Sequence, residues 1–202
     1  MIKPFFIASI LLTLVLTACE DEYAPKPKAY ARITLPEPAY IAPNEATWNC
    51  PYFFEASRIS YLTVDPRHKQ QNCWYNIYYP SLKATIHLTY SDLDGNLSNQ
   101  IEDSRKLAMK HIGKATQINE SLVENDSMRV YGIVYEFRGE TASDLQFFLT
   151  DSTHHFLRGS LYFNVKPNKD SLAPVIDYVK EDIRHMIQTF SWKNDSANAA
   201  AL

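Results

Sequence analysis

The stretch "KATIHLTY", residues 83–90, decides the fold class. Successive side chains of a strand point to opposite faces, so Ala84, Ile86, Leu88 and Tyr90 share one side and Thr85, His87 and Thr89 the other. This alternation reads as a half-buried strand. Upstream, Pro80 closes a second strand over residues 73–79, apolar on both faces, and Pro66 separates it from extended runs at 51–57 and 59–64. Downstream, extended runs are expected at 117–124, 128–137, 144–150 and 155–165. They are joined by "ENDS", "RGETAS" and "DSTHH", links short enough to require antiparallel hairpins.

Two helices interrupt this pattern. After the loop Ser91-Asp92-Leu93-Asp94-Gly95-Asn96, Ile101, Leu107, Ala108 and Ile112 mark a helix over 99–113, with Ser98 as its cap. Near the C-terminus, Leu172, Val175, Ile176, Val179, Ile183, Met186, Ile187 and Phe190 form an apolar stripe at i, i+3, i+4 and i+7. Asp170 or Ser171 caps that helix, and Pro174 falls in its first turn, where the missing amide hydrogen costs little. Strands, helix, strands, helix with short links is an α+β order, not the alternation of a doubly wound parallel sheet. Tyr131, Ile133 and Tyr135 oppose Val130 and Val134, so helices are expected on both faces. The expected architecture is an antiparallel sheet flanked by helices, a three-layer sandwich resembling the Mog1 and PsbP type.

The N-terminus carries a different message. Lys3 precedes an uncharged run over residues 5–17, the length of a secretory h-region and short of a bilayer span. It ends in Leu16-Thr17-Ala18-Cys19, the pattern of a bacterial lipobox. On this reading residues 1–18 are a lipoprotein signal peptide, and Cys19 carries diacylglycerol and fatty acyl chains such as palmitate. A plain secretory signal or a retained helix are the alternatives. Each buried methylene contributes about 0.8 kcal/mol, so two or three chains hold a protein on a membrane without spanning it. Residues 19–47 contain five prolines between 23 and 43, which disfavour a helix and give an extended, Pro-rich tether. Residues 48–192 form the globular domain, and 193–202 a frayed tail.

Taking residues 1–18 from the 202 leaves 184, enough for one domain with an arm. The net charge of −3 becomes −4 without Lys3, which argues against nucleic acid as a partner. Aromatics at 13% with five glycines indicate a densely packed body. Beyond the inner membrane the surroundings are oxidising, so Cys50 and Cys73, left once Cys19 is lipidated, are expected to pair. Two buried free thiols are the alternative.

Candidate chemistry is sparse. His154-His155 would point to opposite faces of a strand and reads as hairpin polarity, not a metal site. Asp103, Ser104 and Arg105, and likewise Glu181, Asp182, Arg184 and His185, read as solvated helix faces supported by opposite charges three or four apart. No catalytic residue, metal or cofactor is assigned. Tyr23, Tyr30 and Tyr40 with Lys26, Lys28 and Arg32 suit docking on a protein partner, with Tyr30 and Arg32 the named contacts. The bland alternative is a plain tether.

The lipobox, "YAPKPKAYARITLPEPAY", "NCPYFFE", "CWYNIYYPSLKATIHLTY", "IEDSRKLAMKH" and the long run from "FFLTDSTHHFLRG" to "QTFSW" together resemble the gliding motility lipoprotein GldD family of the Bacteroidota. The resemblance implies a cell-envelope lipoprotein tied to gliding motility and to the type IX secretion machinery, with no catalytic activity. It places Cys19 as the lipidated residue and matches Cys50 and Cys73 to the family's "CP" and "CW" cysteines. Its partners would be the membrane, through Cys19, and other motility and secretion proteins. The expected location is the outer membrane facing the periplasm. Glu20-Asp21-Glu22 resembles a surface-export signal and keeps surface exposure open. A small-ligand-binding protein or hydrolase of the envelope is the alternative function.

Overall fold

A computed structural model describes residues 34–44, 47–64, 73–164 and 169–193, all within the compact unit Arg32–Leu202. The signal peptide, Cys19, Tyr30, Arg32 and the tail beyond Lys193 lie outside the described residues, as do the side chains of Asp170 and Ser171. In chain order the elements are β1 (Tyr40–Ile41), β2 (Tyr52–Phe53), β3 (Ala56–Ser57), β4 (Tyr61–Val64), β5 (Tyr75–Tyr79) and β6 (Ala84–Asp92). Then come α1 (Leu97–Met109), β7 (Ala115–Asn125), β8 (Val130–Gly139), β9 (Ser143–Thr150), β10 (His155–Phe163), α2 (Lys169–Gln188) and β11 (Ser191–Trp192).

Seven strands form one sheet in the order β4-β5-β6-β10-β9-β8-β7, every neighbouring pair antiparallel. The hairpins expected from the short links are there, and after α1 and β7 to β9 the chain returns in β10 to pair with β6. With α1 on one face and α2 on the other, the α+β class and the three layers hold. The run expected over 51–57 divides into β2 and β3, because each has a different partner: β2 pairs with β11 and β3 with β1. β1 itself lies inside the stretch read as tether, so the body takes in part of the arm.

The first helix differs from expectation at both ends. It starts at Leu97, which packs on the core, and Ser98 lies inside it. Asn96 holds the N-cap position without a side-chain cap bond, its Oδ1 accepting instead from the Asp94 amide at 3.2 Å. After Lys110 the chain tightens into turns, with the Lys114 amide donating to the His111 carbonyl. Ile112, expected on the apolar stripe, is 65% exposed.

Burial follows from which strands the helices cover. Val179, Ile183 and Met186 of α2 meet Ile77, Ile86, Leu88, Phe147, Leu149 and Leu161, and Trp48, Tyr52, Phe54, Phe190 and Trp192 extend this core. On the other face Leu97, Ile101 and Ala108 of α1 meet Tyr135, Phe137, Phe148 and Phe156. All eight residues of β9 are buried because helices lie over both its sides. β6 keeps the alternation read from "KATIHLTY", buried towards α2 and half-buried on its other side. Removing a Phe or Leu side chain from water contributes about 1.5–3 kcal/mol, so these two cores dominate stability.

A disulfide joins Cys50 to Cys73, 5.4 Å apart at Cα, and fastens the segment before β2 to the start of β5. The Tyr52 hydroxyl reinforces the junction by donating to the Cys73 carbonyl at 2.8 Å.

Candidate functional site

The histidine pair does not converge on one point. His154 is exposed and lies 3.6 Å from Asp151, whereas His155 stacks on Trp192 and donates from Nδ1 to the Tyr90 oxygen at 2.7 Å. Asp151 organises the loop. Its carboxylate accepts the amides of Thr153, His154 and His155 at 2.8–3.0 Å and the Thr153 hydroxyl at 2.8 Å. Burial raises its pKa, but these bonds outweigh burial and hold it well below the carboxylate range. Among the described residues no group of three His, Cys, Asp or Glu is placed to hold a metal ion.

The charged side of α2 is not uniformly solvated. Arg184 and Glu181 pair at the surface as expected, but Asp182 is 4% exposed. Its carboxyl lies among Ser57, Tyr40 and Tyr79; burial raises its pKa, and these hydroxyls and His185 oppose the rise. Oδ2 of Asp182, the Ser57 hydroxyl and the Tyr178 hydroxyl make no hydrogen bond of ordinary geometry. Tyr40 is pushed up to about 12 by burial and by Asp182. Its ring stacks on His185 at 3.5 Å, and His185 in turn meets Glu55 at 2.7 Å. Nearby, Glu136 of β8 takes Lys180 and Arg184, each at 3.1 Å. These groups fasten β1 and α2 to the body. Ser104, likewise read as solvated, is buried under α1 between exposed Asp103 and Arg105.

Recognition chemistry gathers on the α1 side of the sheet. α1 packs over β9 and β10, and beside it this face of β5 and β6 carries the half-buried side chains of Asn76, Tyr78, Thr85, His87 and Thr89. Register lays two rows across it. One runs Tyr61, Tyr78, Thr85, Tyr162; the next runs Thr63, Asn76, His87, Ser160, Gln146, Tyr135. His87 donates from Nδ1 to Asn76 at 2.7 Å and its ring meets Tyr162 edge-on at 5.6 Å. Tyr61 and Tyr78 pack edge to face at 5.5 Å.

Arg158 stands beside these rows where α1 ends. Its Nη2 donates to Gln146 Oε1 at 2.8 Å, and Gln146 Nε2 donates to His111 Nε2 at 2.8 Å. Burial lowers the pKa of this guanidinium, with Tyr162 opposing. The half-face therefore offers a cation, a fixed amide, hydroxyls and three tyrosine rings, groups suited to binding a partner. Sequence alternation exposes Thr85, His87 and Thr89, but Arg158 and Gln146 meet them only through strand register, which no local pattern displays.

A family model described as gliding motility lipoprotein GldD matches residues 20–192. No curated protein matches the chain. Among solved structures, the solution structure of cyanobacterial PsbP (CyanoP) from Synechocystis sp. PCC 6803 is similar at 8% identity with a TM-score of 0.43. That likeness covers 84% of this chain and 99% of the other.

Proposed function

Because this chain belongs to the gliding motility lipoprotein GldD family, we propose that it is a lipid-anchored, non-catalytic assembly component of the motility apparatus and of the associated type IX secretion machinery. The observation that carries the reading is the extent of the match. It begins at residue 20, directly after the lipobox cysteine, and runs through Trp192 at the end of the folded body. In this reading acyl chains on Cys19 hold the protein at the outer membrane facing the periplasm. The Pro-rich segment spans the headgroup layer, and the body is presented to its partners with the Tyr61, His87 and Arg158 half-face as docking surface. Perturbed groups cluster in catalytic sites as well as in structural networks; here Asp182 and Asp151 are absorbed in fastening β1 and the β9–β10 loop.

The test is complementation in a gliding bacterium whose own copy has been deleted. Wild-type chain should restore colony spreading and delivery of secreted adhesin. Cys19→Ala should leave the protein soluble in the periplasm and restore neither. Full restoration by the unlipidated variant would overturn the anchored-assembly reading.

A further inference from the structure

Arg158 presents an electrostatic imbalance. A guanidinium stays charged in any protein environment, and this one is half-buried. Its hydrogen-bond partner is the neutral amide of Gln146, 2% exposed and fixed by His111. Among the described residues no carboxylate pairs with it. A partly desolvated cation without a counter-ion is unfavourable, and an arriving anion relieves it.

We infer that Arg158 receives a carboxylate of an acidic protein segment laid across the β4–β6 and β10 half of the sheet, an inference that rests on the assembly reading above. One N–H of the guanidinium is engaged by Gln146; those remaining can grip both oxygens of a carboxylate, a geometry for which the planar fork is suited. The charge also matches. One guanidinium balances one carboxylate, whereas a phosphate monoester at roughly −1.5 to −2 would stay overcompensated beside a single cation. The form of the surface favours a protein as the source. Small ligands take concave sites; here the rings of Tyr61, Tyr78 and Tyr162 stand along a sheet face with Arg158, the residue types that carry binding energy in protein interfaces. Thr63 and Thr85 among them supply polar contacts to a backbone lying across the strands.

The probe is a fluorescent hexaglutamate peptide titrated against the full lipoprotein in mild detergent, with hexaglutamine, glucuronate and inorganic phosphate as comparisons. Saturable, salt-sensitive binding of hexaglutamate is expected, weakened about tenfold or more in Arg158→Gln and less in Arg158→Lys, with hexaglutamine inert. Equal binding by wild type and Arg158→Gln would overturn the assignment. So would glucuronate or phosphate binding more tightly than the peptide, which would give the site to a sugar acid or phosphate. Circular dichroism checks folding. Should Arg158→Gln fail to fold, Arg158→Lys decides: a severalfold loss supports the fork, and unchanged affinity refutes it. Peptide binding is independent of motility, so loss of gliding on gene deletion and loss of peptide binding in the variants fail separately.

Discussion

Replacing Gly159 with alanine should damage the core on the α2 side, and the structure sets the size of the effect. Gly159 lies in β10 between Leu88 of β6 and Phe147 of β9, and the Phe147 ring covers its backbone. A Cβ placed there would stand 2.1 Å from Cζ and 2.2 Å from Cε1 of that ring. Phe147 is 1% exposed and packed within the main core, so the ring cannot swing into solvent. Overpacking of a filled core costs about 1–3 kcal/mol. Complete loss of the Phe packing would set an upper bound of about 3–5 kcal/mol. Against this, Gly→Ala removes unfolded-state freedom worth about 0.4–1 kcal/mol. The net expectation is a loss of about 2 kcal/mol, or about 4–8 °C in Tm for a body of this size. Urea denaturation followed by tryptophan fluorescence measures it. A second variant isolates the cause: Phe147→Leu makes room, so in a double-mutant cycle it should recover about 1 kcal/mol of the Gly159→Ala loss. Wild-type stability in Gly159→Ala, or strict additivity in the cycle, would refute the reasoning.

Other outcomes follow from the fastenings. Reducing Cys50–Cys73, 23 residues apart, should lower stability by roughly 3 kcal/mol on the chain-entropy account; coincident denaturation curves with and without reductant would contradict it. Glu136→Gln leaves Lys180, 6% exposed, without its counter-charge and should cost about 2 kcal/mol near neutral pH. Burial pushes the Glu136 pKa up, but Lys180 and Arg184 more than offset this and hold it below its ordinary value. Its stabilisation is therefore present above the unfolded carboxylate pKa and lost as pH falls through the lower folded one. The gap between variant and wild type should close on acidification, and a gap that persists at pH 2 would count against the pairing. Tyr40→Ala removes the stack on His185 and should cost about 1 kcal/mol while speeding hydrogen exchange at Ala56 and Ser57; unchanged exchange would show that β1 is held by other contacts.

The fold was largely legible because its long strands obey local rules. "KATIHLTY" displays its buried face by alternation, and the stripe from Val175 to Phe190 displays that of α2. What stayed hidden depends on distant partners. Tyr40–Ile41 is a strand only because Ala56–Ser57 lies beside it, and a two-residue strand among prolines carries no period. Asp182 resembles its solvated neighbours Glu181 and Arg184 in sequence, and becomes buried only when β1 and β3 close over α2. The candidate site fails to show for the same reason, since Arg158, Gln146 and His87 stand 12 to 71 residues apart along the chain and come together only through strand pairing.

The central claim, a lipid-anchored component that works by holding partners, is tested most directly by isolating the native lipoprotein from mildly solubilised envelopes and quantifying what accompanies it by mass spectrometry. The account predicts motility and type IX secretion proteins in stoichiometric amounts, lost when Cys19 becomes alanine. Recovery of the lipidated protein alone, or the same partners with the unlipidated variant, would contradict it.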